Sequence, residues 1–162
     1  DADPRAFAFP RPMLASNQMP DDVDYYSFSF SGLKTSVLTR VRELESRGQL
    51  ELRRNDVAAS FQAAVVDVLT AKVMRAVHEK KCHRVVLGGG VAASRALRAS
   101  LQGALQGGEV YAPSLRLATD NAAMIARAAV HHYERGDFAP LDVTARADLP
   151  FPGLHRREPV AR

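Results

Sequence analysis

Apolar positions along the chain change period several times, and each change predicts an element. Leu33, Val37, Leu38, Val41 and Leu44 recur at three- and four-residue steps, which predicts an amphipathic helix opening at Ser31 and ending near Gly48. Val57, Phe61, Val65, Val66, Leu69, Val73 and Ala76 form a second, longer stripe, with Asn55 or Asp56 placed to cap it and an end near Lys81. Ala58, Ala59, Ala63 and Ala64 widen its apolar face, so this helix is expected at the centre of the fold. The run 84–87 then reads as a short buried strand, stopped by Gly88, Gly89 and Gly90. A helix is expected from about Ala92 to Leu105, and a second short strand over 109–111. A last helix, capped by Thr119 or Asp120, runs to about Arg135.

Helix, helix, strand, helix, strand, helix is the order of an α/β layer with parallel strands. Residues 1–30 form an irregular arm. Pro4, Pro10, Pro12 and Pro20 interrupt any period there, and Phe7 and Phe9 meet no predicted element that would bury them. The lobe proper occupies 31–139, and 140–162 is a Pro- and Arg-rich tail.

Composition narrows this picture. At 162 residues, 46% hydrophobic and 25% charged, the chain suits one globular domain with a sizeable core. No run of consecutive apolar residues approaches a membrane span, and no leader pattern opens the chain, so the expectation is a cytoplasmic domain without membrane contact. One cysteine, Cys82, excludes an internal disulfide and a four-cysteine zinc site, and reads as an inert, partly buried thiol. A net charge of +4 permits a polyanionic partner without requiring one.

Three segments could carry chemistry. The stretch from Val85 to Ala92 places glycines between a strand and a helix start, where bare backbone can approach a nucleotide and free amides favour negative charge. It lacks the later glycine of the dinucleotide fingerprint and the Lys of the phosphate loop, so a tight packing turn is the alternative. Asp120, ahead of an alanine-rich helix, is either its N-cap or a hard-oxygen metal ligand. Lys34, in the first turn of the first helix, either marks a nearby anion or extends into water. His131 and His132 are neighbours on one helix, about 100° apart, and do not form a two-ligand metal set. His78-Glu79 is not part of HExxH.

Taken in order, FSFSGLKTSV, DVAASFQAAVVDVL, VVLGGGVAASRALR and ATDNAAMIA resemble the C-terminal part of the TsaD/Gcp (YgjD/Kae) tRNA threonylcarbamoyladenosine transferases, within the actin-like ATPase superfamily. The resemblance runs from Phe9 to about Arg146. It implies an incomplete RNase H-like lobe, helix-rich with a short parallel sheet, whose N-terminal companion lobe lies outside this chain. It also implies that Gly89, Gly90, Val91, Ala92 and Ser94 bind ATP, ADP or threonylcarbamoyl-AMP, and that Asp120 binds a divalent iron or zinc ion together with an HxxxH pair of the other lobe. Ser94 stands where the family usually carries Asn, and Ala122 where it usually carries Gly.

The implied reaction moves the threonylcarbamoyl group from threonylcarbamoyl-AMP to the adenosine 3′ of the anticodon of tRNA, with TsaB-like and TsaE-like partners. This part alone is expected to be inactive, and its exposed apolar surface to lead to a homodimer or to insolubility. A non-catalytic nucleotide-binding or assembly module is the competing reading. A metalloprotease is disfavoured, since neither HExxH nor a nucleophile–base pair is present.

Overall fold

The computed structural model describes residues 2–145. They comprise α1 (Ser31–Ser46), α2 (Leu50–Lys80), β1 (Arg84–Val86), a 3-10 turn (Gly90–Ala93), α3 (Arg95–Ala104), β2 (Glu109–Tyr111), a 3-10 turn (Leu115–Leu117) and α4 (Ala122–Arg135). The expected order and the parallel pairing are both present, with Arg84 opposite Glu109, Val85 opposite Val110 and Val86 opposite Tyr111. Most of the 140–162 tail lies outside the described residues. Two units divide the chain, Asp1–Asp120 and Asn121–Arg162.

Gly48, at φ +64°, ends α1 in the left-handed region that glycine enters freely. Its N–H donates to the Glu45 carbonyl and that of Gln49 to Leu44, so the chain reverses at once and α2 begins at Leu50. Asn55 and Asp56 therefore lie inside α2 and do not cap it. The Asp56 carboxylate instead accepts from the Asp3 amide at 2.9 Å and pairs with Arg53 at 3.3 Å.

The arm is irregular but not idle. Phe9 is buried with Leu33, Leu44, Val57 and Ala64 in one core cluster, against the expectation that nothing would cover it. Small residues on α2 admit the arm: the Ser60 hydroxyl accepts from the Phe7 amide (3.1 Å) and donates to the Asp3 carbonyl (3.2 Å). Farther along, Arg11 pairs with Asp67 at 2.7 Å. The fully buried face of α2 consequently runs through Val57, Ser60, Ala64, Val68 and Lys72, while Phe61 on the expected stripe is 39% exposed.

A second cluster joins Leu69 of α2 to Leu97 and Leu101 of α3, with Leu87 and Val110 from the sheet. Phe30 packs against both clusters. The 84–87 segment is not the buried strand expected: Val86 is 78% exposed. Side chains alternate across a strand, and only the Leu87 and Val110 face is covered by helices.

By length and composition α2 is apolar enough to cross a membrane, with mean hydropathy 1.5 over its best window. Inspection of consecutive apolar residues did not anticipate this. A third of that window is buried, through contacts with the arm, α1 and α3.

Within the second unit, α4 is capped by Asn121, whose side-chain oxygen accepts from the Met124 amide at 3.2 Å. Neither Thr119 nor Asp120 is the cap. Gly136, at φ +71°, closes the helix on the His132 and Tyr133 carbonyls.

Candidate functional site: the glycine turn and its cleft

Gly89 has φ +78° and ψ 176°, a conformation open essentially to glycine alone. It lets the chain leave β1 and enter the Gly90–Ala93 turn directly. A Cβ built on Gly88, Gly89 or Gly90 meets nothing within 4 Å, so all three present bare backbone to open space. The Ala92 amide bonds the Gly89 carbonyl and the Ser94 amide the Val91 carbonyl, both at 3.0 Å. The amides of Gly90 and Val91, one step earlier, have no backbone acceptor among the described residues.

Ala92 is 2% exposed and anchors the turn, whereas Val91 is 56% exposed. The Ser94 hydroxyl accepts from the Leu97 amide at 3.3 Å and so caps α3. The helix expected from about Ala92 therefore starts at Arg95, behind a 3-10 turn. Of the five nucleotide-binding candidates, Gly89, Gly90 and Val91 lie open, Ala92 is interior and Ser94 is engaged as a cap.

Arg98 holds this turn. Its Nε donates to the Ala92 carbonyl at 2.6 Å and its Nη2 to the Pro113 carbonyl at 2.7 Å, tying the glycine turn to the segment after β2. The Leu115–Leu117 turn packs on Gly90–Ala93, and three residues later comes Asp120. Asp120 is exposed, and its carboxylate has no partner among the described residues. Sequence reasoning passed over Arg98, although an arginine one turn into a helix that follows a glycine turn is well placed to collect loop carbonyls.

A cavity of about 400 Å³ opens beside the turn, with Val91, Ser94 and Leu97 on one side and Phe30, Phe61, Gln62 and Val65 on the other. A smaller one of about 240 Å³ lies between Phe28, Phe30, Val86, Gly88 and Val91. Lys34 lines a third hollow with Phe30, Ser31, Val37 and Phe61, so Phe30 borders all three. Sequence reasoning missed Gln62, the one amide side chain on the wall of the cavity between the glycine turn and α2.

Cys82 is exposed, not partly buried, with its Sγ 3.7 Å from the Arg84 carbonyl. His131 and His132 lie with ring centroids 5.7 Å apart. No cluster of three or more His, Cys, Asp or Glu suited to a metal occurs among the described residues. Asp120 offers one exposed hard-oxygen donor of the kind a divalent ion takes.

Among the described residues, Lys72 and Tyr111 are shifted from their ordinary values. Lys72, 3% exposed, is held below the ordinary lysine value by burial and then by the Arg75 guanidinium, against an opposing pull from Asp24. Tyr111 is raised, first by its 2.6 Å hydrogen bond to Glu109 and then by the charge of that carboxylate.

Comparison with known proteins places this geometry. The family model described as TsaD, tRNA N6-adenosine threonylcarbamoyltransferase, matches residues 1–127. A protein of that name from Gemmatimonas aurantiaca is 53% identical over 148 residues, covering 90% of this chain and 42% of the relative. One from Moorella thermoacetica is 45% identical over 152 residues (93% and 42%), and one from Bordetella petrii 50% over 137 residues (83% and 37%). The chain thus spans about two-fifths of the length of the curated relatives it matches. With residues 1–127 under the family model and half the aligned positions identical to several relatives, this chain belongs to the TsaD family of tRNA N6-adenosine threonylcarbamoyltransferases.

Proposed function

We propose that this chain is the nucleotide-side, C-terminal portion of a tRNA threonylcarbamoyltransferase, an incomplete RNase H-like lobe occupying 31–139 with its arm at 1–30. The observation that carries the reading is the open glycine turn at 88–94, heading α3 in a chain of this family. Its work is to hold threonylcarbamoyl-AMP, or ATP or ADP, with the bare backbone of Gly89 and Gly90 admitting the adenosine close to the main chain and Val91 against it. Ala92 and Arg98 keep the turn rigid from behind.

The acceptor is the exocyclic amine of the adenosine 3′ of the anticodon. An aromatic amine is a weak nucleophile, so rate depends on placing it against the carbamoyl carbon and on neutralising charge there, more than on a strong base. In this reading Asp120 supplies one ligand to iron or zinc, with two histidines outside this chain completing the set. When bound, that ion supplies Lewis acidity toward the carbamoyl-phosphate oxygens. Arg and Lys side chains engage the tRNA backbone, and TsaB-like and TsaE-like proteins act alongside.

The test is threonylcarbamoyl transfer to an ANN-decoding tRNA with those companions. This chain is compared with a polypeptide extended by the other lobe, each with and without Asp120→Ala. Activity in the extended protein alone, abolished by Asp120→Ala, is the expected outcome. Transfer that survives Asp120→Ala removes the metal role.

One observation favours a second reading, a nucleotide-binding or assembly module without catalysis. The Ser94 hydroxyl is occupied by the Leu97 amide, at the position where the resemblance expects an Asn. Equilibrium binding of AMP with no transfer in the extended protein supports that alternative.

A further inference from the structure

Lys72 is a buried ammonium whose hydrogen-bond acceptors are all uncharged. Its Nζ donates to the Asp24 carbonyl at 2.6 Å and the Tyr25 carbonyl at 2.9 Å, with the Gln18 side-chain oxygen at 3.5 Å. One turn on, Arg75 donates to the same Gln18 oxygen at 2.6 Å, to the Tyr25 carbonyl at 3.3 Å and to the Ala15 carbonyl at 3.0 Å. The Arg75 guanidinium also lies over the Tyr25 ring at 4.8 Å. Two cations in the last third of α2 are thus committed to backbone carbonyls, and to the Gln18 side chain, of a segment with no helix or strand of its own.

A buried charge is tolerated only where it is well satisfied, and helix packing alone would be served by an apolar side chain. What distinguishes this segment is where it leads. Three residues beyond the Tyr25 carbonyl is Phe28, and two further is Phe30, the aromatic residue that borders the cavities beside the glycine turn. Phe30 is also the residue whose carbonyl accepts from the Lys34 amide at 2.8 Å, in the opening turn of α1.

We infer that Lys72 and Arg75 form a two-pronged clamp on the strap 15–25, and that this clamp positions Phe28 and Phe30 as the wall of the nucleotide-side cleft. They are positioning residues acting through the strap. The ligand half of the inference rests on the proposed nucleotide role of the turn at 88–94; the strap half does not.

The experiment uses this chain with 4-fluorophenylalanine incorporated, comparing wild type, Lys72→Met and Arg11→Met. Amide exchange across 15–27, fluorine resonances of Phe28 and Phe30, and AMP affinity are read together. Lys72→Met should accelerate exchange over 15–27 by about tenfold or more, leave α2 amides around 57–69 unchanged, shift or broaden the Phe28 and Phe30 resonances, and weaken AMP about tenfold. Arg11→Met, which frees only the start of the arm, should leave the resonances and the affinity unchanged.

Unchanged exchange over 15–27 in Lys72→Met, or a loosened strap with unmoved Phe28 and Phe30, overturns the clamp. A loosened strap and moved rings with undiminished AMP affinity overturn their role at the cleft. No AMP binding by wild type rejects the nucleotide reading and leaves the clamp to the first two measurements. If Lys72→Met does not fold, Gln18→Leu removes an acceptor shared by both prongs from the half-exposed side of the strap, and the same outcomes decide.

Discussion

Gly89 and Ser94 show how single residues constrain the turn. Any side chain at Gly89 must take a φ near +78°, which costs on the order of 1–3 kcal/mol, although nothing obstructs the Cβ itself. Gly89→Ala should therefore lower stability by that amount in urea unfolding and weaken AMP more than Gly88→Ala does. Ser94→Ala removes the cap of α3 and should cost about 1 kcal/mol. Ser94→Asn keeps an equivalent cap, so it separates the two roles of the position: stability should hold, and any gain in AMP affinity belongs to the amide.

Asp120 is the contrasting case. Exposed and without a partner among the described residues, it should tolerate Ala within about 0.5 kcal/mol of stability while transfer in the extended protein is lost.

Lys72 carries a pH dependence whose direction follows from its lowered value. Between that value and 10.5 the unfolded chain binds more protons at this site than the folded one, so stability rises with pH through that window. The cost of burying the ammonium beside Arg75, partly offset by Asp24, is in full force below the window and relieved across it. Urea unfolding of wild type against Lys72→Met as pH approaches 10.5 should show the difference moving in favour of wild type. A difference that moves the other way contradicts the sign.

At the scale of elements, helices were legible wherever a three- to four-residue period persisted, and α1, α2, α3 and α4 all occur near their expected places. Their caps were less legible. Polar residues of capping type recur within a few positions of one another, and the choice depends on where the preceding chain turns. Gly48 moved the start of α2 to Leu50, and Asn121 rather than Asp120 took the amide of Met124. The latter outcome is informative, because it leaves the Asp120 carboxylate without a capping bond among the described residues.

Gly108 is an element-scale constraint of another kind. A Cβ there would stand 2.5 Å from the His83 carbonyl and 2.6 Å from Leu105, at the entry to β2. Gly108→Ala must spread the parallel pair at its Glu109 to His83 hydrogen bond. A loss of about 1–3 kcal/mol, with faster exchange at Glu109, is the expected result.

For the molecule as a whole, the chain's sequence identifies its family over residues 1–127, yet it covers 42% of the Gemmatimonas and Moorella relatives. The exposed face of the sheet, with Val86 78% and Tyr111 49% exposed, is where a short α/β layer lacks cover. The period of each helix, the glycines between strand and helix, and the ordered blocks that mark the family are legible in the residues alone. All of these are local properties of consecutive residues.

What the arm does, which face of α2 is interior, and why Lys72, Arg75 and Arg98 are where they are emerge from the folded chain. Apart from the Gln18 side-chain oxygen, the hydrogen-bond partners of those three cations are main-chain carbonyls up to 60 residues away in sequence. A carbonyl is present at every residue and leaves no signature in the side-chain pattern, so its pairing becomes visible only when the chain is folded.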